Sequence, residues 1–277
     1  MLIPLVPPYL FWSRGSGQAT AVIGAHDGAA VLMAPAQGHV TRTYAMPVFD
    51  AEYEARRRVF AKHVRSPLFE VLDNGTTLRE EFVAGCYFFD LPLGARLQVT
   101  RNMIAGYESL THAEGSGGSQ SLMRPVLEAL GQASPPDDLA ALLQESLTPR
   151  AVRRWPRIPS ATDPRPKNSV ILGDLTPVAI DLGSLRLDPF FYYPVGFVAH
   201  AGRGVRDAFL EGELDADFER LFTAAGARYR ANEQGRLGLL ALRTLIASYK
   251  ECSPGDVFNV PRFNWVVRRR WGMTLAP

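Results

Sequence analysis

Short apolar and polar runs fill the first eighty residues, and their spacing is that of half-buried strands. TAVIGAHDGAAVLMAP holds two apolar segments separated by His26-Asp27-Gly28, which predicts a hairpin. HVTRTYAMPV alternates and stops at Pro47. From Asp50 the period lengthens to that of a helix in DAEYEARRRVFAKHV. Asp50 is the predicted N-cap, Tyr53, Val59, Phe60 and Val64 form a broad apolar face, and Ser66-Pro67 is the stop. LFEVLDNGTTLREEFVAG is a second predicted hairpin, with Asn74-Gly75 at its tip. The predicted order is strand, strand, strand, helix, strand, strand. The apolar start, MLIPLVPPYLFW, carries three prolines and no basic lead, so it reads as an ordered arm rather than a signal peptide.

After Gly85 the pattern loosens and then turns helical. SLMRPVLEALG, PPDDLAALLQESL, DADFERLFTAAGARYRAN and GRLGLLALRTLIASYKE read as helices, and HAEGSGGSQS as a flexible connection. NSVILGDLTPVAIDLGSL interrupts this half with a further hairpin, SVIL and VAID about a polar turn. The fold expected is α+β: a β-rich N-terminal lobe over residues 1–84 and a mainly helical C-terminal lobe over 85–277.

Composition narrows the class without deciding it. The 277 residues are 47% hydrophobic and 21% charged, with a formal net charge of +2. That is an ordinary globular balance, and no charge excess directs the chain to nucleic acid or to a membrane surface. No apolar run is long enough to span a bilayer, and the expected location is the cytoplasm. Cys86 and Cys252 stand alone, and the five histidines are dispersed, so no metal-ligand spacing is readable. Lysine occurs only at Lys62, Lys167 and Lys250.

The chemistry-bearing stretch is IPSATDPRPKNSVIL followed by AIDLG. Asp163 and Asn168 alone read as formers of a Pro-rich turn. With the hairpin and Asp181 in register they form a pattern, Asp-x4-Asn, hairpin, Ile-Asp. That pattern resembles the aminoglycoside phosphotransferase and choline-kinase-like family of the protein-kinase-like fold. Pro159, Ser160, Asp163, Pro166, Asn168, Val170, Ile180 and Asp181 fall on the family motif without a gap. The resemblance implies a bilobal kinase-like fold, ATP and Mg2+ as cofactors, and a small-molecule substrate with a hydroxyl acceptor. It implies Asp163 as catalytic base and Asn168 and Asp181 as metal ligands, with the catalytic loop and hairpin spanning 159–183. It also implies that Glu81 and Val83, in LREEFVAG, belong to the adenine hinge. Glu54 would be the helix glutamate, and Arg42 stands where the nucleotide lysine is expected.

Four positions depart from the family pattern. Arg42 replaces lysine, Ala161-Thr162 replace His-Gly, and Tyr193 stands where an aspartate is usual. Gly15-Ser16-Gly17 is the only glycine-rich candidate, and it reads as lying before the first strand. The expected function is an ATP-dependent phosphotransferase acting on a small molecule. The alternative is a pseudokinase, a binding or assembly module with a protein partner and little turnover. Within LGDLTPVAIDLG the letters GDLTP imitate a catalytic loop. Asp174, however, lacks the preceding His and the Asn five places on, so 173–176 are expected to be a turn.

Overall fold

The computed structural model describes residues 11–15, 18–24, 29–122, 124, 127, 140–141, 143–144, 148–183 and 185–250. Its first part is an antiparallel sheet. The strands are β1 (Phe11–Gly15), β2 (Gln18–Gly24), β3 (Ala30–Ala34), β4 (His39–Thr43), β5 (Phe69–Leu72) and β6 (Thr77–Glu81), in the spatial order β1-β2-β3-β4-β6-β5. Helix α1 (Ala51–Ala61) lies between β4 and β5 in sequence. Asp50 caps it, accepting a hydrogen bond from the Tyr53 amide at 2.7 Å. The tip of the β5–β6 hairpin turns through positive φ at Asp73, Asn74 and Gly75, a conformation that Asn and Gly tolerate.

One strand was not anticipated. β1 emerges from the predicted N-terminal arm, and its Gly15 pairs with Gln18 of β2. Gly15-Ser16-Gly17 therefore joins two paired strands instead of preceding the first one. Residues 1–10, the rest of the arm, lie outside the described residues, as do His26-Asp27-Gly28. β2 and β3 nonetheless pair as the hairpin reading requires.

The second part is mostly helical. Its helices are α2 (Leu93–Glu114), α3 (Pro149–Val152), α4 (Tyr192–His200), α5 (Arg203–Glu211), α6 (Asp215–Ala224) and α7 (Glu233–Lys250). Among them lie two small antiparallel assemblies. β7 (Cys86–Tyr87), β9 (Ser169–Ile171) and β10 (Pro177–Ala179) form one, in the order β10-β9-β7. The other is a ribbon of β8 (Arg157–Ala161) and β11 (Leu185–Pro189). The two helices expected over 121–147 fall largely outside the described residues.

Burial follows chemistry. The main core gathers Phe88, Ile104, Tyr107, Leu110, Phe190, Phe191, Phe197 and Phe209 from the second part, with Phe60 near the end of α1 and Val64 just after it. A second cluster under the sheet holds Phe49, Tyr53 and Leu78. Each large apolar side chain removed from water contributes about 1.5–3 kcal/mol, so the larger cluster dominates. The aromatic run 190–193 is buried throughout. No helix among the described residues is long and apolar enough to cross a membrane.

Candidate active site

Local pairing brings the predicted residues together. Ser169 pairs with Ala179 at the last step of the β9–β10 ladder. The Ile180 amide then donates to the Asn168 carbonyl at 2.9 Å, extending that pairing one step. Asn168 and Asp181 thus leave the same end of one hairpin. Five residues earlier, Asp163 follows β8, and the Asn168 side-chain amide Nδ2 donates to its carbonyl at 3.2 Å. Asn168 is buried, and this bond leaves its side-chain oxygen as the donor available to a cation. Asp181 has φ +58°, a left-handed conformation uncommon outside glycine, and its side chain is 43% exposed.

Arg42 reaches this point from β4 and forms an ion pair with Asp181 Oδ1. Gly183 makes room for it, because a Cβ there would lie 2.9 Å from Arg42 Nη1. Burial works against the charge of Arg42, but the Asp181 carboxylate and the Tyr44 hydroxyl overcome it and hold the pKa above its usual value. Arg165 clamps the other carboxylate: its Nε donates to Asp163 Oδ1 at 2.6 Å and to Oδ2 at 2.8 Å, and its Nη2 also meets Oδ2. Burial would raise the Asp163 pKa, yet hydrogen bonds from Arg165 and Asn168 hold it below the ordinary carboxylate value. Asp163 is therefore held in its charged form, and each acid faces a guanidinium.

Three elements brace the loop behind these residues. The Tyr53 hydroxyl of α1 donates to the Leu182 carbonyl at 3.0 Å, inside the protein. The Ala179 amide donates to the Arg65 carbonyl at 2.8 Å. Tyr193 of α4 stacks on Tyr107, with centroids 4.8 Å apart at 10°. Burial pushes the Tyr193 phenol up, and its hydroxyl is held by Ser169 close to Asp163. An aromatic hydroxyl thus supports the loop at the position where the motif leads one to expect an aspartate.

The remaining predicted positions lie elsewhere. Glu54 pairs with Arg58 of its own helix at 3.1 Å, away from Arg42. Glu81 and Val83 lie in or beside the segment joining β6 to β7. The Glu81 amide donates to Leu68 at 2.9 Å, whereas the backbone of Val83 and Ala84 takes no hydrogen bond from the described residues. Gly85 packs against β9 so closely that a Cβ would sit 2.5 Å from the Ile171 carbonyl oxygen. Asp174 is exposed and accepts from the Thr176 amide at 3.0 Å, with Leu175 at φ +64°, so 173–176 form the expected turn.

No protein-family model matches the sequence, and no curated protein is similar to it. Among solved structures, a choline/ethanolamine kinase family protein from Mesorhizobium loti aligns over 99% of this chain and 92% of its own, with a TM-score of 0.52 and 16% identity. The chain has this kinase-like fold. Choline kinase LicA from Streptococcus pneumoniae aligns over 97% of this chain and 94% of its own, at TM-score 0.49 and 9% identity. An aminoglycoside phosphotransferase from Streptomyces rimosus, crystallised with ADP and streptomycin, aligns over 84% and 92%, at TM-score 0.41 and 16% identity.

Within the kinase-like fold a pair that motif matching missed ties helix to sheet. Arg57 of α1 is fully buried and donates to Glu80 of β6 at 2.6 Å, with the ring of Phe69 5.2 Å from its guanidinium carbon. Burial pushes the Glu80 carboxyl up, against the pull of Arg57 and Arg42. The signal was present in the spacing, since 53, 57, 60 and 64 form one helical line and Arg57 lies in its middle. The acids at the start of α6 are partnered. Asp215 accepts from Tyr229 at 2.8 Å and from Arg236 at 2.7 Å, and the buried Asp217 accepts from Arg220 at 2.6 Å. No group of three His, Cys, Asp or Glu side chains suited to a metal gathers among the described residues.

Proposed function

We propose that the chain is an ATP-dependent phosphotransferase acting on a hydroxyl of a small molecule. The observation that carries this reading is the gathering of Asp163, Asn168 and Asp181 around one hairpin end, with Arg42 against them. Phosphoryl transfer consists mainly of positioning and charge neutralisation, and those are the two properties this group supplies.

The donor set fits Mg2+. One carboxylate and one amide oxygen, completed by phosphate and water, suit a hard cation that dehydrates reluctantly. Asp181 and Asn168 would hold it, and when bound it would neutralise charge on the phosphates. Arg42 would share its guanidinium between Asp181 and a phosphate oxygen, for which its planar donor pair is suited. Asp163, held deprotonated, would orient the acceptor hydroxyl and take up its proton. The bare backbone at Val83 and Ala84 offers a donor and an acceptor to an adenine edge. On this reading the lobes divide between Ala84 and Gly85.

One observation favours a second reading, a binding module without turnover. Both acids are already neutralised by arginines, Asp181 by Arg42 and Asp163 by Arg165. Release of product from ATP in the presence of candidate alcohols separates the two. For the enzyme, Mg-ATP raises the melting temperature, and Asp163→Asn removes phosphate transfer while leaving that shift largely intact. A Mg-ATP shift with no transfer to any acceptor supports the module, and no shift at millimolar Mg-ATP sinks both nucleotide roles.

A further inference from the structure

A pocket of about 440 Å³ opens beside α3, the end of α6 and the first half of α7. Its floor is aromatic and rigid. Trp155 meets Phe191 edge-on at 5.1 Å, Phe191 stacks near Phe222 at 6.2 Å, and Phe222 meets Tyr229 at 5.4 Å. Tyr229 is fixed by its hydrogen bond to Asp215, so its ring is presented in one orientation. Around this floor stand Arg150, Arg154 and Arg228, with Arg230 as a fourth guanidinium in the lining, and among the described residues the lining holds no acidic side chain.

The pocket is separate from the residues around Asp181. β8 and β11 pair from Ala161–Leu185 at one end to Arg157–Pro189 at the other. Asp163 and Asp181 lie beyond the first end, whereas Trp155 and Phe191 lie beyond the second, about 13 Å along the ribbon. Helix α7 lines the pocket with Gly235, Gly238, Leu239 and Leu242, whereas the next residue, Arg243, packs over Tyr192 beside Gly196 and Pro164.

We propose that this pocket is a second ligand site, one that takes a small organic anion: a carboxylate or phosphate carried on a flat apolar body. Its volume is in the range of small-molecule sites, which are typically apolar with a few placed polar groups. The aromatic floor suits an apolar ring. Guanidinium groups at the rim match the two oxygens of a carboxylate or phosphate.

The test is calorimetric titration of the full chain with naphthyl phosphate and with naphthoate, beside naphthol and inorganic phosphate. At least one aryl anion binds, and about tenfold or more tighter than naphthol or phosphate alone, because a charge-assisted bond and the aromatic floor act together. The stronger of the two identifies the anion. Arg154→Gln with Arg228→Gln weakens that ligand by about tenfold or more. Both side chains are exposed, so folding is retained and circular dichroism checks it. Asp181→Asn and saturating Mg-ATP leave the affinity unchanged, a result independent of whether the proposed phosphotransfer is correct. Equal binding of naphthol, indifference to the arginine changes, loss with Asp181→Asn, or no binding at millimolar concentration would each overturn the proposal.

Discussion

Arg57 occupies a position on the inward line of α1 between Tyr53 and Phe60, where an apolar residue would be routine. It is fully buried there, bonded to Glu80 and to the Pro67 carbonyl. Removing one partner strands the other charge away from water, at a cost of about 3–5 kcal/mol. Glu80→Ala should therefore lower unfolding stability by that order in chemical denaturation. Arg57→Met with Glu80→Leu should recover much of the loss, because no charge is then left behind. A Glu80→Ala cost below about 1 kcal/mol would be that of an exposed pair and would contradict the burial argument. Asp163 gives a pH counterpart. Its folded pKa is lowered, so its contribution to stability is present above the unfolded value, 3.8, and is lost as pH falls through the folded one. The melting temperature of Asp163→Asn should consequently fall less steeply than that of the unaltered chain as the pH is taken below about 4. Parallel profiles would mean that Arg165 does not select the charged form.

Between elements, the contact that matters most for the site is Tyr53 with Leu182. It joins α1 to the loop carrying Asp181, and it does so where water does not reach. Tyr53→Phe leaves the Leu182 carbonyl without its donor and should cost about 1–3 kcal/mol in denaturant unfolding. An unchanged midpoint would show that the loop finds another donor. This tie could not be seen in the sequence, because 129 residues separate the partners and Tyr53 reads simply as apolar face. What was legible rests on local chemistry: Asp50 before a helical period, Asn74-Gly75 between alternating runs, and a polar turn between SVIL and VAID. α2 was missed for a physical reason. Leu97, Val99, Thr100, Met103, Ile104, Tyr107, Leu110 and Thr111 form one broad buried face, but two of the eight are threonines, so the sequence shows no clean apolar stripe. β1 was missed because its partner β2, not its own pattern, makes it a strand. Among the candidate residues, the motif picked out Asp163, Asn168 and Asp181 because their spacing is set by one hairpin. Glu54 had only chain order behind it, and it stands against Arg58.

At the scale of the molecule, the two hydrophobic clusters are unequal, and that inequality sets where the protein opens first. The sheet's own cluster has Phe49, Tyr53 and Leu78 at its centre, with Tyr44, Phe69 and Val71 partly covered beside it. The main cluster runs through α2, α4, α5, α6 and α7 and takes in Phe60 from α1 and Val64 just beyond it. α1 is therefore held from both sides. β2 and β3, further out in the sheet order than β4, depend on β4 and on their own pairing. Native-state hydrogen exchange should show this as a gradient: amides of β2 and β3 should exchange about a hundredfold or more faster than those of Tyr107 and Leu110 in α2, a gap of roughly 3 kcal/mol. β4 and α1 should fall between them, since Arg42–Asp181, Tyr53–Leu182 and Arg57–Glu80 tie them inward. Saturating Mg-ATP, on the proposed function, adds about 2.7 kcal/mol at a hundred times its dissociation constant. The added protection should appear in β4 and around Asp181 before it appears in α2, where opening is already global. Equal exchange in β2, β3 and α2 would mean that the sheet and the helical part unfold as one unit. The small cluster would then be carrying more than its burial accounts for.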